Sequence, residues 1–178
     1  ALPISGIRFD KGLTKDVLAK AREAGCLKMV FGLESSNKRV LSLMDKGIET
    51  EITKNIIDDC DETGIAIHMY VIVGFPSETR EEALETLDFV ISNEKFLKSK
   101  GASCLACLFE LEKHAPILRD PGKYGLTKIG HPKQDDLSLG YFYETDRGMT
   151  PEESGEVYEH VRSEIEEKKK IGSRERNQ

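Results

Sequence analysis

The chain has 178 residues, 33% of them charged and 38% hydrophobic, which is the composition of an ordinary globular domain with its own hydrophobic core. A formal net charge of -6 gives no basic footprint for a nucleic-acid backbone. No apolar run approaches the ~20 residues a transmembrane helix needs, and no charged-then-apolar leader precedes the first expected strand. The expected location is therefore cytoplasmic, with no membrane partner.

The chain opens Ala1-Leu2-Pro3-Ile4 without an initiator methionine, as an excised or processed piece does, and Ile4 to Phe9 forms the first expected strand. From there one junction recurs, in which an amphipathic helix stops at a glycine and an apolar strand follows at once. Helix Thr14 to Ala24 places Val17, Leu18, Ala21 and Ala24 on one face and ends at Gly25, before strand Leu27 to Leu33. Helix Glu51 to Thr63 carries Ile52, Ile56, Ile57 and Cys60 as a stripe and ends at Gly64, before strand Ile65 to Val73. Helix Arg80 to Glu94, with Ala83, Leu84, Leu87, Val90 and Ile91 in phase, leads through a loop of lysines and Gly101 into strand Ala102 to Glu110. Glycine suits the left-handed position just past a helix end. Strands apolar along their whole length, alternating with helices, are those of a parallel sheet covered by helices, so the fold class is α/β.

Beyond Glu112 the character changes: Pro116, Pro121, Gly122, Gly125, Gly130 and Pro132 punctuate few apolar runs, and an irregular extension is expected. Thr150-Pro151-Glu152-Glu153 then combines a threonine N-cap, proline at N1 and glutamate at N3, and starts a final helix with Val157, Tyr158, Val161 and Ile165 as its buried stripe. The charge run Glu166 to Gln178 reads as a solvated or frayed tail.

In a parallel α/β sheet the ligand sits at the carboxyl ends of the strands. Those ends read Arg8-Phe9-Asp10, Gly32-Leu33-Glu34-Ser35-Ser36, Val73-Gly74-Phe75-Pro76-Ser77-Glu78-Thr79 and Phe109-Glu110-Leu111-Glu112, so polar groups converge on one edge. Alternation puts Arg8 on a face with Gly6, and Glu34 with Gly32. It also sets the apolar Ile67, Met69, Val71 and Val73 under the helices and turns His68 and Tyr70 to the other side. There the two are either satisfied core residues or substrate-side candidates facing a barrel interior.

The four cysteines, Cys26, Cys60, Cys104 and Cys107, are too few and too scattered for a disulfide framework. On a strand, Cys104 and Cys107 fall on opposite faces and do not jointly ligate one metal, so no metal site is expected. The Gly74 to Thr79 segment offers close backbone approach and a helix start to a phosphate. It lacks the lysine of a P-loop, and no G-x-G-x-x-G is present; a doubly wound phosphate binder would need glycine-rich turns upstream.

Two segments, Phe31-Gly32-Leu33-Glu34-Ser35-Ser36-Asn37-Lys38-Arg39-Val40-Leu41-Ser42-Leu43-Met44-Asp45-Lys46-Gly47 and Val71-Ile72-Val73-Gly74-Phe75-Pro76-Ser77-Glu78-Thr79, together resemble the radical SAM superfamily. The resemblance points to the branch with methylthiotransferases, oxygen-independent coproporphyrinogen oxidase and cobalamin-dependent members. It covers Ile4 to Glu112, with Ser36 and Ser77 standing where the family often has glycine. The Ala115 to Tyr124 stretch and Gly148-Met149-Thr150 also look like extensions of cobalamin-associated members. What the resemblance implies is the C-terminal part of a partial (β/α)6 TIM-like barrel over residues 1–112, holding its third to sixth strands, and an irregular and helical C-terminal extension over 113–178. It implies S-adenosylmethionine and a 4Fe-4S cluster as cofactors, with cobalamin possible in the full-length protein, and a reaction through a 5′-deoxyadenosyl radical. The Cys-x-x-x-Cys-x-x-Cys motif that holds the cluster in the family is absent from this sequence. The chain alone is thus expected to be inactive; the alternative is a barrel-derived binding or scaffold module without catalysis. By resemblance, Arg8 pairs with the methionyl carboxylate, Glu34 and Ser35 hydrogen-bond ribose or methionyl groups, and the Val73-Gly74-Phe75-Pro76 backbone approaches adenine. The substrate stays unassigned, and a piece of an open barrel is expected to self-associate.

Overall fold

A computed structural model describes residues 6–131 and 140–175. Four parallel strands, β1 (Gly6–Ile7), β2 (Lys28–Glu34), β3 (Ala66–Val73) and β4 (Ser103–Leu108), lie in the order β1-β2-β3-β4. The helices between them are α1 (Lys15–Glu23), α2 (Lys38–Leu43), α3 (Thr50–Thr63), α4 (Arg80–Ile91) and α5 (Glu94–Lys98). Strand order follows chain order, so the sheet is a run of βα units: a partial α/β barrel that does not close, with β1 and β4 at its edges.

Each boundary has a local cause. Thr14 accepts a hydrogen bond from the Val17 amide to start α1, and Gly64, at φ 74°, closes α3. A reciprocal capping box between Thr79 and Glu82 starts α4. Along β3, Ile67, Met69, Val71 and Val73 are buried against the helices while His68, Tyr70 and Ile72 are half-exposed on the concave side, as alternation requires. The register carries that division across the sheet, placing His68 beside Val30 and Ser103, and Tyr70 beside Gly32 and Leu105.

Three expectations change. The loop of lysines contains α5, because Asn93 accepts from the Phe96 amide and caps a new turn where α4 stops at Ile91. The irregular extension holds an antiparallel sheet in the order β5-β7-β6, built from β5 (Leu111–Glu112), β6 (Leu126–Gly130) and β7 (Gly140–Thr145). Two 3-10 turns, Pro116–Arg119 and Pro121–Tyr124, lead into it; Pro132 lies outside the described residues. Finally, the charge run does not fray at Glu166. Helix α6 (Pro151–Glu175) continues through it because the Lys169 ammonium donates to the Phe96 and Leu97 carbonyls, at 3.1 and 3.0 Å, and lies over the Phe96 ring.

The start of α6 is as read from the sequence, with the Thr150 amide donating to Glu153 and the Glu153 amide to the Thr150 hydroxyl. Its stripe, Val157, Val161 and Ile165, joins the core formed by the sheet, α3 and α4. The last helix is therefore part of the barrel's outer layer. A smaller core of Val40, Phe75, Leu111, Ile117 and Leu126 ties the antiparallel sheet to the ends of β2 and β3.

Candidate functional site

A cavity of about 440 Å³ opens on the concave side of the sheet, lined among others by Arg8, Gly32, Glu34, Lys46, Tyr70 and Cys107. Another of similar size, about 460 Å³, lies between α2 and the start of α3 and gathers residues 38–51 only, with no strand-end group except through the neighbouring loop. The first lies where strand ends converge, and it carries the chemistry.

Glu34 is built into that cavity by a break in the strand. The β2–β3 register shifts between Gly32 and Glu34, and Glu34 adopts φ 64°, a left-handed conformation that costs a residue with a Cβ about 1–2 kcal/mol. The carboxylate folds back over Gly32, where an added Cβ would lie 2.5 Å from Glu34 Oε1. Glycine two residues before the glutamate is thus what gives the side chain room. Lys46 Nζ holds the same Oε1 at 2.9 Å. Lys46 has no role in the sequence reading; its only signal was its place in the Met44-Asp45-Lys46-Gly47 turn, where Asp45 and Gly47 both take positive φ.

Arg8 lies beside this pair, exposed, with no ion-pair partner among the described residues. Tyr70 and Cys107 come up from the floor, and His68 meets Tyr70 edge to face, with ring centroids 4.6 Å apart. Burial, then the Lys28 charge, holds the His68 imidazole below its ordinary value. Arg8 and Glu34, singled out at two strand ends, and Tyr70, singled out within a third strand, are brought to one cavity; His68 sits next to it.

The remaining candidates are placed elsewhere. The Ser35 hydroxyl is fully buried, 3.1 Å from the Thr86 hydroxyl of α4, and accepts from the Asn37 amide, so it faces the helix layer rather than the cavity. Val73, Gly74, Phe75 and Pro76 do not line the cavity either. The Val73 carbonyl accepts from the Phe109 amide, the Phe75 carbonyl from the Glu78 amide, and the Gly74 amide donates to Glu78 Oε2 at 2.7 Å. The Phe75 ring stacks edge-on against Phe109 and Tyr124. Gly74 lacks a side chain because Ser154 of α6 occupies the space, with Ser154 Cβ 2.6 Å from where a Cβ would stand.

The loop that follows is clamped on several sides. Arg39 donates to the Ser77 carbonyl at 2.7 Å and pairs with Glu82, and the Met149 amide donates to the Glu78 carbonyl at 2.8 Å. Ser77 sits at φ 73°, a left-handed conformation that glycine adopts at less cost. The Glu78 carboxyl is 1% exposed with Oε1 unpartnered, and burial pushes it up to about 7.

The two strand thiols fall as alternation requires. Cys104 is in register with Met69 on the helix side, where burial pushes it up to about 12, while Cys107 is in register with Ile72 on the cavity side. Among the described residues no three His, Cys, Asp or Glu side chains gather to hold a metal ion. Nor is any described helix long and apolar enough to cross a membrane.

An open parallel sheet of βα units, with a strained glutamate and an unpaired guanidinium at its strand ends, is a partial α/β barrel. The chain belongs to the radical SAM superfamily, whose model matches residues 2–90. Among curated proteins it is 31% identical over 126 residues to the tRNA-2-methylthio-N(6)-dimethylallyladenosine synthase of Clostridium tetani, covering 64% of this chain and 27% of that protein. It is 33% identical over 100 residues to the ribosomal protein uS12 methylthiotransferase RimO of Chlorobaculum parvum, covering 54% and 21%. An uncharacterized methyltransferase of Pyrococcus horikoshii matches at 37% over 73 residues, 40% of this chain and 16% of that one. The chain thus spans about a quarter or less of the length of these relatives.

Two solved structures share the fold. The radical S-adenosylmethionine methyltransferase TsrM of Kitasatospora setae, solved with cobalamin and a [4Fe-4S] cluster, superposes with TM-score 0.58 at 16% identity over 73% of this chain and 26% of its own. Coproporphyrinogen III oxidase HemN of Escherichia coli does so with TM-score 0.53 at 18% identity, over 84% and 43%.

Proposed function

We propose that the concave cavity holds the methionyl and ribose groups of S-adenosylmethionine in an enzyme to which this chain contributes part of the barrel. The observation that carries the reading is Glu34, held at positive φ with its carboxylate turned over Gly32 into the cavity beside the unpaired Arg8. Strain of this kind persists where the surroundings over-determine it, and it clusters at ligand sites. The Arg8 guanidinium can take a carboxylate in two parallel hydrogen bonds. Lys46 neutralises one Glu34 oxygen and leaves Oε2 as acceptor for a ribose hydroxyl or an ammonium. Ser35, Gly74 and their neighbours support this arrangement as the frame that fixes the two strand ends, not as direct contacts.

The hard chemistry in such an enzyme is the cofactor's, and the protein binds, orients and excludes water. The cysteines present do not fit a 4Fe-4S cluster, since Cys104 and Cys107 face opposite sides and Cys26 and Cys60 are buried in the helix layer. Cluster ligands are accordingly assigned to other parts of the protein, and the substrate and reaction of the whole are left to it.

The test is Glu34→Gln in the cluster-bearing enzyme. It removes the charge that Lys46 meets and one acceptor for the ligand, and losing a hydrogen bond to a charged group costs roughly 1.5–3 kcal/mol, about ten-fold to a hundred-fold in affinity. Cluster content should stay unchanged while S-adenosylmethionine binding and its substrate-free cleavage fall together. If both are unchanged and only substrate turnover drops, Glu34 serves the substrate and the reading is wrong. Absence of any S-adenosylmethionine binding in the parent enzyme would favour the non-catalytic binding module.

A further inference from the structure

Below Tyr70, toward the amino-terminal ends of the strands, the concave face carries Lys28, His68 and Ser103, one from each of three adjacent strands. His68 is in register with Ser103, and Lys28 with Ala66, so the three are neighbours across the sheet. The Ser103 hydroxyl joins them: Lys28 Nζ donates to it at 3.2 Å, and it lies 2.6 Å from His68 Nδ1. The arrangement that satisfies all three groups has the hydroxyl donating to Nδ1 of a neutral imidazole, which leaves Nε2–H as a free donor.

The charge on this face has no acidic partner beside it among the described residues. Lys11, Lys15, Arg39, Lys46, Lys95 and Lys128 each meet a carboxylate, and others such as Lys20, Lys38 and Lys113 are exposed to water. Lys28 is half-buried and meets none among the described residues, in a chain whose net charge is -6. A half-buried ammonium that meets only a hydroxyl has donors left for an anion supplied from outside. Arg8 is unpaired as well, but it shares a level with Gly32, four residues along β2 from Lys28, about 13 Å at the usual strand rise. One small anion does not reach both.

We propose that Lys28, Ser103 and His68 form a second subsite on the concave face, which receives an oxyanion, a carboxylate or a phosphate, of the substrate. The inference rests on the reading that this face is the reaction chamber, and it names the substrate class: a molecule with an anionic group reaching the chamber floor while the cofactor occupies the rim. Lys28 supplies charge, the His68 Nε2–H supplies direction, and Ser103 fixes the imidazole's tautomer. Tyr70, whose ring packs on His68, closes the side toward the rim.

The experiment follows the His68 ring nitrogens by NMR in the 178-residue chain, at a concentration where sedimentation shows a monomer, with inorganic phosphate and succinate as separate probes. The result expected without probe is a neutral ring protonated at Nε2. A saturable millimolar response to one or both probes should follow, weakened about ten-fold or more in Lys28→Met and in Ser103→Ala, and unaltered in Lys20→Met, whose side chain is exposed on α1. The tighter probe decides between phosphate and carboxylate. A His68 signal that neither anion moves, or that moves equally in Lys28→Met with its backbone spectrum unchanged, overturns the subsite. Because no S-adenosylmethionine is present, an anion response together with a failed Glu34→Gln test would discard the cofactor assignment alone.

Discussion

Glu78 should make this fold more stable in mild acid than in mild base, and Glu78→Gln should remove the difference. The carboxyl is 1% exposed, one oxygen takes the Gly74 amide, the other has no partner, and burial pushes it from 4.5 up to about 7. The folded chain therefore keeps a proton that the unfolded chain releases near pH 4.5. Stability is full below that pH, falls as pH rises toward 7, and is flat above. Each pH unit of displacement is worth about 1.4 kcal/mol, so the loss is about 3 kcal/mol at most. Glu82 raises the Glu78 value further and Arg39 lowers it; Glu82, itself lowered by Arg39, contributes stability that is lost only at more acid pH. Glutamine keeps an acceptor for the Gly74 amide without a charge. Thermal unfolding followed by circular dichroism should show parent and variant alike near pH 4.5. By pH 8 the variant should melt higher by roughly 5–10 °C, at about 2–4 °C per kcal/mol for a chain this size. A variant that is less stable than the parent at pH 8, or displaced equally at both pH values, would refute the assignment of a buried, protonated carboxyl.

Gly148→Ala should destabilise the chain by about 2 kcal/mol in urea unfolding, because its φ is 73° and a Cβ would lie 2.5 Å from the Ser77 carbonyl carbon; a change under about 0.5 kcal/mol would count against the clamp on this loop. Anaerobic reconstitution with iron and sulfide should leave the chain without a stoichiometric 4Fe-4S cluster, and broad visible absorbance lost on replacing Cys104 and Cys107 would overturn the opposite-face geometry. Sedimentation at high concentration should show self-association through the open edge at β1 and the uncovered concave face, and a clean monomer would speak against it.

The parts of the fold legible in the sequence are those with short-range causes. Helices that end at Gly25 and Gly64, the capping boxes at Thr79 and Thr150, and the alternation along Ile67 to Val73 are all decided within a few residues, and the structure repeats them. What was missed depends on partners far along the chain. β5 and β7 are short strands whose pairing, Leu111 with Tyr141, spans an interval that no local period reports. The charged end of α6 stays helical because Lys169 finds the carbonyls of α5 more than seventy residues earlier.

The candidate site divides the same way. Alternation sets the faces of Arg8, Glu34 and Tyr70 strand by strand, since period two is a property of each strand by itself, and the register between strands brings the three together. Ser35 is paired with Glu34 by the resemblance and not by alternation, and its hydroxyl lies where period two puts it, on the face opposite Glu34, against Thr86. The residue that strains the backbone is thus the one that aims its own carboxylate into the cavity, while its neighbour faces the helices as alternation requires. A motif written as Gly-x-Glu-Ser therefore encodes two different jobs. Glycine clears the space and glutamate fills it, while serine, buried against α4, locks the turn that keeps the glutamate there. Replacing Ser35 should then act on the cavity only through the position of Glu34. In Ser35→Ala, S-adenosylmethionine affinity should fall less than in Glu34→Gln, and adding Ser35→Ala to Glu34→Gln should cost stability but no further affinity. Independent, additive losses of affinity in the double variant would mean that Ser35 touches the ligand itself.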